Sequence, residues 1–209
     1  TVDTLLAFGN NGRVYSVPVA GLPGARGDGQ PVLTLIELEA GTQLLHYFAG
    51  PSQAQLLLSG SGGYGFIAQV GDMISRQRGG KAFITCNARE TVCAPSYIGG
   101  TSGSVPVPEA THIACASAGG RLLTFPIGEL RTMPNGGRGL MLMSLEDKDV
   151  LIGAAAYTRS IRVQGTGRGG KPREETLEIR SLNNAAAARG RKGKAADWGF
   201  KPQRIGRIE

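Results

Sequence analysis

Apolar and polar residues alternate with a period of two along most of the chain, and the alternation repeats about every 50 residues. Gly12, Gly63 and Gly120 can be superimposed. Each follows a short apolar run (Leu5–Phe8, 56–58, His112–Ala116). Each precedes an alternating run in which Tyr15, Phe66 and Leu123 correspond, then Val17, Ala68 and Phe125, then Val19, Val70 and Ile127, and finally Leu22, Met73 and Leu130. Alternation on both sides of a Gly-bearing turn, clearest at Asn10-Asn11-Gly12, predicts a β-hairpin. The register continues: Gly29-Gln30-Pro31-Val32 falls on Gly80-Lys81-Ala82-Phe83 and on Gly137-Arg138-Gly139-Leu140. A fourth unit is fainter, with strands at 160–163 and 176–180 separated by a basic loop over 165–173, and with Arg189-Gly-Arg-Lys-Gly-Lys194 in the place of the glycine-basic segment. Further strands are expected at 32–38, 44–49, 140–145 and 150–156, and one helical turn at 185–188. The pattern predicts an all-β chain of about four four-stranded repeats, roughly 1–40, 41–88, 89–147 and 148–209, arranged like propeller blades within one domain.

Composition agrees with this reading. Glycine supplies 33 of 209 residues and proline 11, which disfavours long helices. No apolar run approaches the length of a membrane-spanning helix, and Thr1 opens no signal peptide. Three cysteines (Cys86, Cys93, Cys115) without a C-x-x-C suit a reduced, cytoplasmic setting.

Charge narrows the partner. The net charge is +7, yet residues 159–209 carry 13 Lys and Arg against five Asp and Glu, so the first 158 are nearly neutral. One basic end suits a polyanion, nucleic acid before membrane, because no amphipathic helix or lipidation signal accompanies it. A basic tail serving solubility alone is the plainer alternative.

Motifs that imitate catalytic sites lose their context. Gly60-Ser-Gly-Gly-Tyr-Gly65 fits G-x-G-x-x-G but lies between two strands, where no helix N-terminus can hold a phosphate. Gly165–Lys171 fits G-x-x-x-x-G-K, but Pro172 replaces the magnesium-binding hydroxyl. His46 and His112 sit within apolar strands as core or edge residues, and Glu146-Asp147-Asp149 reads as a solvated turn. No catalytic or metal site and no cofactor is expected in this chain.

The basic positions instead recur beside glycines. Arg26, Arg76, Arg78, Lys81, Arg138, Arg189, Arg191, Lys192 and Lys194 are candidate phosphate ligands, with Gly79 and Gly80 allowing close backbone approach, and with Arg168 and Lys171 on the basic loop. Recurrence in each blade would place them along a curved rim, and no base-reading element is evident.

These segments resemble a known family. Gly-Arg-Val-Tyr-Ser (12–16), the run from Leu22 to Pro31, Gly-Tyr-Gly-Phe (63–66), Arg-Gln-Arg-Gly-Gly-Lys-Ala (76–82), Arg-Gly-Arg-Lys-Gly (189–193) and residues 203–209 occur in the order found in C-terminal domains of the bacterial topoisomerase IV A subunit. The resemblance implies a β-pinwheel, whose blades exchange strands, and a non-catalytic role in binding and bending double-stranded DNA independently of sequence. It further implies two partners in the whole enzyme, the B subunit and one more copy of the A subunit. No small-molecule substrate is implied, and ATP and Mg would act elsewhere in the enzyme. Decatenation and supercoil relaxation would be tuned in the cytoplasm, on the bacterial chromosome and in some members at the inner face of the membrane. The breakage-reunion tyrosine of the family matches nothing here. Related gyrase A domains carry Gln-(Arg/Lys)-Arg-Gly-Gly-(Arg/Lys)-Gly. Here Arg78-Gly79-Gly80-Lys81 fits its centre, while Arg76-Gln77 inverts the start and Ala82 replaces the last glycine. That departure favours topoisomerase IV over a DNA-wrapping gyrase domain. Five blades are usual in such members, so a first blade is expected upstream of Thr1. An interaction propeller with a basic docking face is the alternative from another class.

Overall fold

The turn glycines set the strand pairing. The computed structural model describes residues 3–24, 27–102, 105–107 and 109–208. The first hairpin is β1 (Thr4–Gly9) and β2 (Arg13–Pro18), and β3 (Leu44–Gly50) returns beside β1. The second is β4 (Gln55–Gly60) and β5 (Tyr64–Gln69), followed by the one-turn helix α1 (Val70–Met73), the short β6 (Lys81–Ala82), and β7 (Ser96–Ser102) with its extension β8 (Val105–Val107). The third comprises β9 (His112–Ser117), β10 (Arg121–Pro126), β11 (Leu140–Met141) and β12 (Leu151–Tyr157). The fourth comprises β13 (Ser160–Thr166), β14 (Pro172–Glu178), α2 (Ile179–Asn183), β15 (Lys194–Ala195) and β16 (Lys201–Arg207). Gly12, Gly63 and Gly120 close the first three hairpins at φ +79°, +86° and +83°, a region that side chains with a Cβ rarely enter.

Sheets do not follow sequence units. Their strand orders are β3-β1-β2-β6, β7-β4-β5-β11 with β8 added beyond β7, β12-β9-β10-β15, and β14-β13-β16. Each of the first three sheets therefore takes its last strand from the following unit. The all-β repeat expected from the spacing is present as the pinwheel that the resemblance implied, and each unit is stitched to its predecessor by an exchanged strand. The fourth sheet receives no such strand among the described residues.

Packing follows the same order. One core joins Leu6, Phe8 and Val14 to Leu56, Leu58 and Phe66; a second joins Leu57 and Ile67 to Ile113, Leu123 and Phe125; a third joins Ala114, Ala116 and Leu122 to Ile161, Val163, Leu177 and Ile205. Alternate residues of each central strand thus face opposite neighbours, which is why these strands are apolar on both faces. Phe8, Phe66 and Phe125 are fully buried, each removing enough apolar surface from water to contribute about 1.5–3 kcal/mol. The outer face of the first blade is covered by its own following segment, with Leu22, Val32, Ile36 and Leu38 packed on Ala7, Tyr15 and Val17.

Several local expectations are corrected. Residues 32–38 hold a 3-10 turn at Val32–Thr34 instead of a strand, and the strand expected at 140–145 spans only Leu140–Met141. The 165–173 loop shrinks to the tip of an extended β13–β14 hairpin, because pairing runs on to Thr166↔Pro172. The helical turn lies at Ile179–Asn183, not at 185–188. No helix among the described residues is long and apolar enough to cross a membrane.

Candidate nucleic-acid interface

The exchanged strands lie on the periphery. A cleft of about 790 Å³ is lined by β3 (Leu45, His46, Tyr47), residues 91–95, β12 (Leu151, Ile152) and β16 (Gln203, Arg204), so these edges meet at the centre. Strands β6, β11 and β15 occupy the opposite edge of their sheets.

Glycine fixes where each exchanged strand begins. Gly80, Gly139 and Gly193 stand at φ +60°, +81° and +72°, immediately before β6, β11 and β15. A Cβ on any of them would run into the carbonyl of Val14, Gly65 or Leu122 on the receiving hairpin. These three positions are therefore equivalent, which shifts the third repeat by two residues from the sequence register: Gly139, not Gly137, matches Gly80. Gly79, by contrast, faces open space.

The receiving hairpin then grips the glycine. Arg13 donates from Nε to the Gly79 carbonyl and from Nη2 to the Gly80 carbonyl, both at 3.0 Å. Arg121 holds the Gly193 carbonyl at 3.3 Å. In the middle joint Tyr64 occupies the arginine's place, and the cation comes from the exchanged segment: the Arg138 guanidinium lies 4.2 Å from the Tyr64 ring centre. A glutamate closes each joint, through Arg13–Glu39 at 3.3 Å, Arg138–Glu90 with two contacts of 2.8 Å, and Arg121–Glu146 at 2.7 Å. The hydrogen bonds from Arg138 hold the Glu90 carboxyl below its ordinary pKa, against the upward push of burial. Arg13, Arg121, Glu39 and Glu90 were absent from the sequence-derived candidates, and Glu146, read there as part of a solvated turn, is instead paired with Arg121. Their signal was the recurrence of Gly-Arg at 12–13 and 120–121 and of glutamate at 39, 90 and 146.

Successive segments are also bonded to one another. Glu37 N–H donates to the Arg78 carbonyl, Thr85 N–H to Gly137, and Ser144 N–H to Arg191, so a backbone ladder runs around the edge. It brings Arg76, Asn135 and Arg189 to one level, Arg78, Gly137 and Arg191 to the next, Gly79, Arg138 and Lys192 to a third, and Lys81, Leu140 and Lys194 to a fourth.

The candidate cations divide sharply on this ladder. Arg78 donates to the Thr34 and Leu35 carbonyls, Lys81 to the Asp72 carbonyl at 2.6 Å, and Arg189 to the Met141 carbonyl at 2.6 Å. Arg138 is neutralised by Glu90, and exposed Lys192 lies 3.9 Å from Glu146. Arg76, Arg168, Lys171, Arg191 and Lys194 are exposed and make no side-chain bond among the described residues. Arg26 falls outside the described residues. Free positive charge therefore gathers at the first and third joints and on the tip of the β13–β14 hairpin, with a neutral middle joint at residues 135–140.

The motifs that imitate catalytic sites have structural places. Gly60–Gly65 is the β4–β5 turn, and residues 165–171 cap the β13–β14 hairpin. His46 Nε2 lies 3.1 Å from the Val92 carbonyl, with its pKa lowered by burial. His112 bonds Thr111 and packs against Tyr157. Burial pushes the Cys93 thiol up to about 12 and the Cys115 thiol higher still.

Comparison with known proteins gives this geometry its family. Residues 3–38 and 111–157 match the family described as DNA gyrase C-terminal domain, beta-propeller. The A subunit of DNA topoisomerase 4 from Neisseria gonorrhoeae is 38% identical over 184 residues, 88% of this chain and 23% of that protein. The Escherichia coli K12 protein of the same name is 29% identical over 205 residues, covering 96% and 25%. The chain thus spans about a quarter of the length of these relatives. Among solved structures, the E. coli ParC C-terminal domain superimposes with a TM-score of 0.78 at 24% identity, covering 97% of this chain and 80% of that one. A gyrase A C-terminal domain gives 0.70 at 18% identity, with coverages of 97% and 64%. This chain belongs to the family formed by the C-terminal domains of gyrase A and of the topoisomerase IV A subunit.

Proposed function

We propose that the peripheral ladder binds double-stranded DNA through its phosphates, independently of base sequence, and holds the duplex along a curve. The observation that carries this reading is the recurrence of a fixed glycine-started segment at each joint, with Arg76, Arg191 and Lys194 left free at the first, second and fourth levels of the ladder. Guanidinium and ammonium groups release condensed counterions from phosphates, and they gain nothing from base identity. The neutral stretch at 135–140 separates two cationic anchors, so a duplex touching both follows the curvature of the edge.

Within an intact topoisomerase IV, this domain would capture the transported duplex and tune decatenation against supercoil relaxation, beside the B subunit partner and a second copy of its own chain. Strand breakage and the use of ATP and Mg would belong to the rest of the enzyme. Uneven anchors, with the inverted Arg76-Gln77 and Ala82, favour bending over continuous wrapping. Anisotropy titration of labelled duplexes across a salt series tests the reading. Binding that weakens steeply with salt and equally for unrelated sequences supports it; salt-insensitive binding, or none, refutes it.

A further inference from the structure

The fourth blade ends differently from the others. Registers align Leu6 of β1 with Ala114 of β9 and Arg162 of β13, each opposite a hydroxyl residue (Ser16, Thr124, Thr176). One step along, Phe8 opposite Val14 corresponds to Ala116 opposite Leu122 and to Gln164 opposite Glu174. The first and third blades use these residues to pack against the next blade. The fourth blade offers Arg162, Gln164 and Glu174 there, and Arg204 of β16 lies beside Gln164. This face is polar by sequence and is no blade-packing surface.

Among the described residues its outer edge is also unlike the other three. Strands β2, β5 and β10 receive an exchanged strand, whereas β14 starts with Pro172 and carries Arg173, Glu174, Glu175 and Glu178, with only Leu177 buried. Arg173 stands in register with Arg13 and Arg121, the residues that grip the exchanged glycines. No such segment reaches it among the described residues, and it lines a concavity of about 490 Å³ with Gln164, Glu174, Gln203 and Arg204. Arg173 and Arg204 are exposed and make no side-chain bond among the described residues, while Glu174 is matched by Arg162 at 3.8 Å. The Gln164 amide donates to Glu174 at 3.1 Å, so the two unneutralised guanidiniums and the Gln203 amide are the donors this hollow offers to phosphate oxygens. The hairpin tip bearing Arg168 and Lys171 borders the same strand, so the hollow continues the basic path of the ladder.

The geometry points to a second duplex-DNA contact on the end face of the fourth blade, with Arg173 and Arg204 holding backbone phosphates as the DNA leaves the peripheral ladder. It rests on the DNA-binding reading above and extends it off the edge. The test uses phenylglyoxal modification of arginines, read by mass spectrometry with and without a long duplex, alongside salt titrations of the Arg173→Ala/Arg204→Ala double variant. Duplex is expected to protect Arg173 and Arg204 as well as Arg191, and the double variant should flatten the slope of log affinity against log salt by about 1.8. Protection of Arg191 without Arg173 and Arg204, or an unchanged slope, overturns the end-face contact alone. If Arg191 is not protected either, the ladder reading falls and takes this inference with it. Both arginines are exposed, so the double variant should melt with the parent, and the protection assay needs no variant.

Discussion

Gly79 and Gly80 are neighbours of identical composition and opposite consequence. At Gly80, φ is +60° and an added Cβ would strike the Val14 carbonyl and lie 2.9 Å from the Tyr15 ring. An alanine there carries left-handed backbone strain of about 1–3 kcal/mol. It also displaces the segment from β2, weakening the two arginine bonds to the Gly79 and Gly80 carbonyls and the β2–β6 pairing, with net bonds worth about 0.5–1.5 kcal/mol each. Gly80→Ala should therefore destabilise the fold by roughly 2–6 kcal/mol, a Tm drop of roughly 5–20 °C for a chain of this size. Gly79 has an ordinary φ and nothing within 4 Å, so Gly79→Ala should stay within about 0.5 kcal/mol of the parent. Calorimetry of the two variants decides the matter. Equal melting temperatures would refute the claim that the exchanged strand is fixed by a glycine the hairpin cannot accommodate otherwise.

Arg138→Ala should cost about 1–3 kcal/mol, through loss of its paired bonds to half-buried Glu90 and its place over Tyr64, while leaving the salt slope of DNA binding nearly unchanged; chemical denaturation and titration check both halves. Because the folded Glu90 carboxyl is held below its ordinary value of 4.5, its contribution is present above that pH and is lost as pH falls through the lowered value. The stability gap between parent and Glu90→Gln should accordingly shrink under acid, and a constant gap would contradict the pairing. Cys93 and Cys115, buried with raised thiol pKa values, should react with a thiol reagent at neutral pH only after unfolding, as counted by mass spectrometry; fast labelling of either in the native state would show the second core to be open.

The repeat was readable because Gly12, Gly63 and Gly120 precede two-residue alternation, a signal that depends only on local backbone and burial. Strand exchange was implied by the family resemblance but not readable from the pattern, since β6, β11 and β15 are two residues long and no periodicity can form over that length. The third repeat slipped because the stretch from Leu130 to Gly139 is two residues longer than that from Met73 to Gly80, and Gly137 offered a nearer match. The cations were found as a class, but which are free depended on distant carbonyls and carboxylates. Glu90 lies 48 residues from Arg138, and Thr34 lies 44 from Arg78. Tyr64 in the place of Arg13 and Arg121 conceals the middle joint further, because cation and acceptor have exchanged sides.

The central claim is that the free cations of the ladder touch DNA phosphates. The measurement is the salt dependence of duplex affinity for the Arg76→Ala/Arg191→Ala/Lys194→Ala variant, followed by anisotropy on two duplexes of unrelated sequence. None of the three side chains holds the fold together, so the melting temperature should match the parent's. With about 0.9 of slope per phosphate contact, the log–log slope should flatten by up to about 2.7, to the same degree on both duplexes. A variant that retains the parental slope would contradict the account.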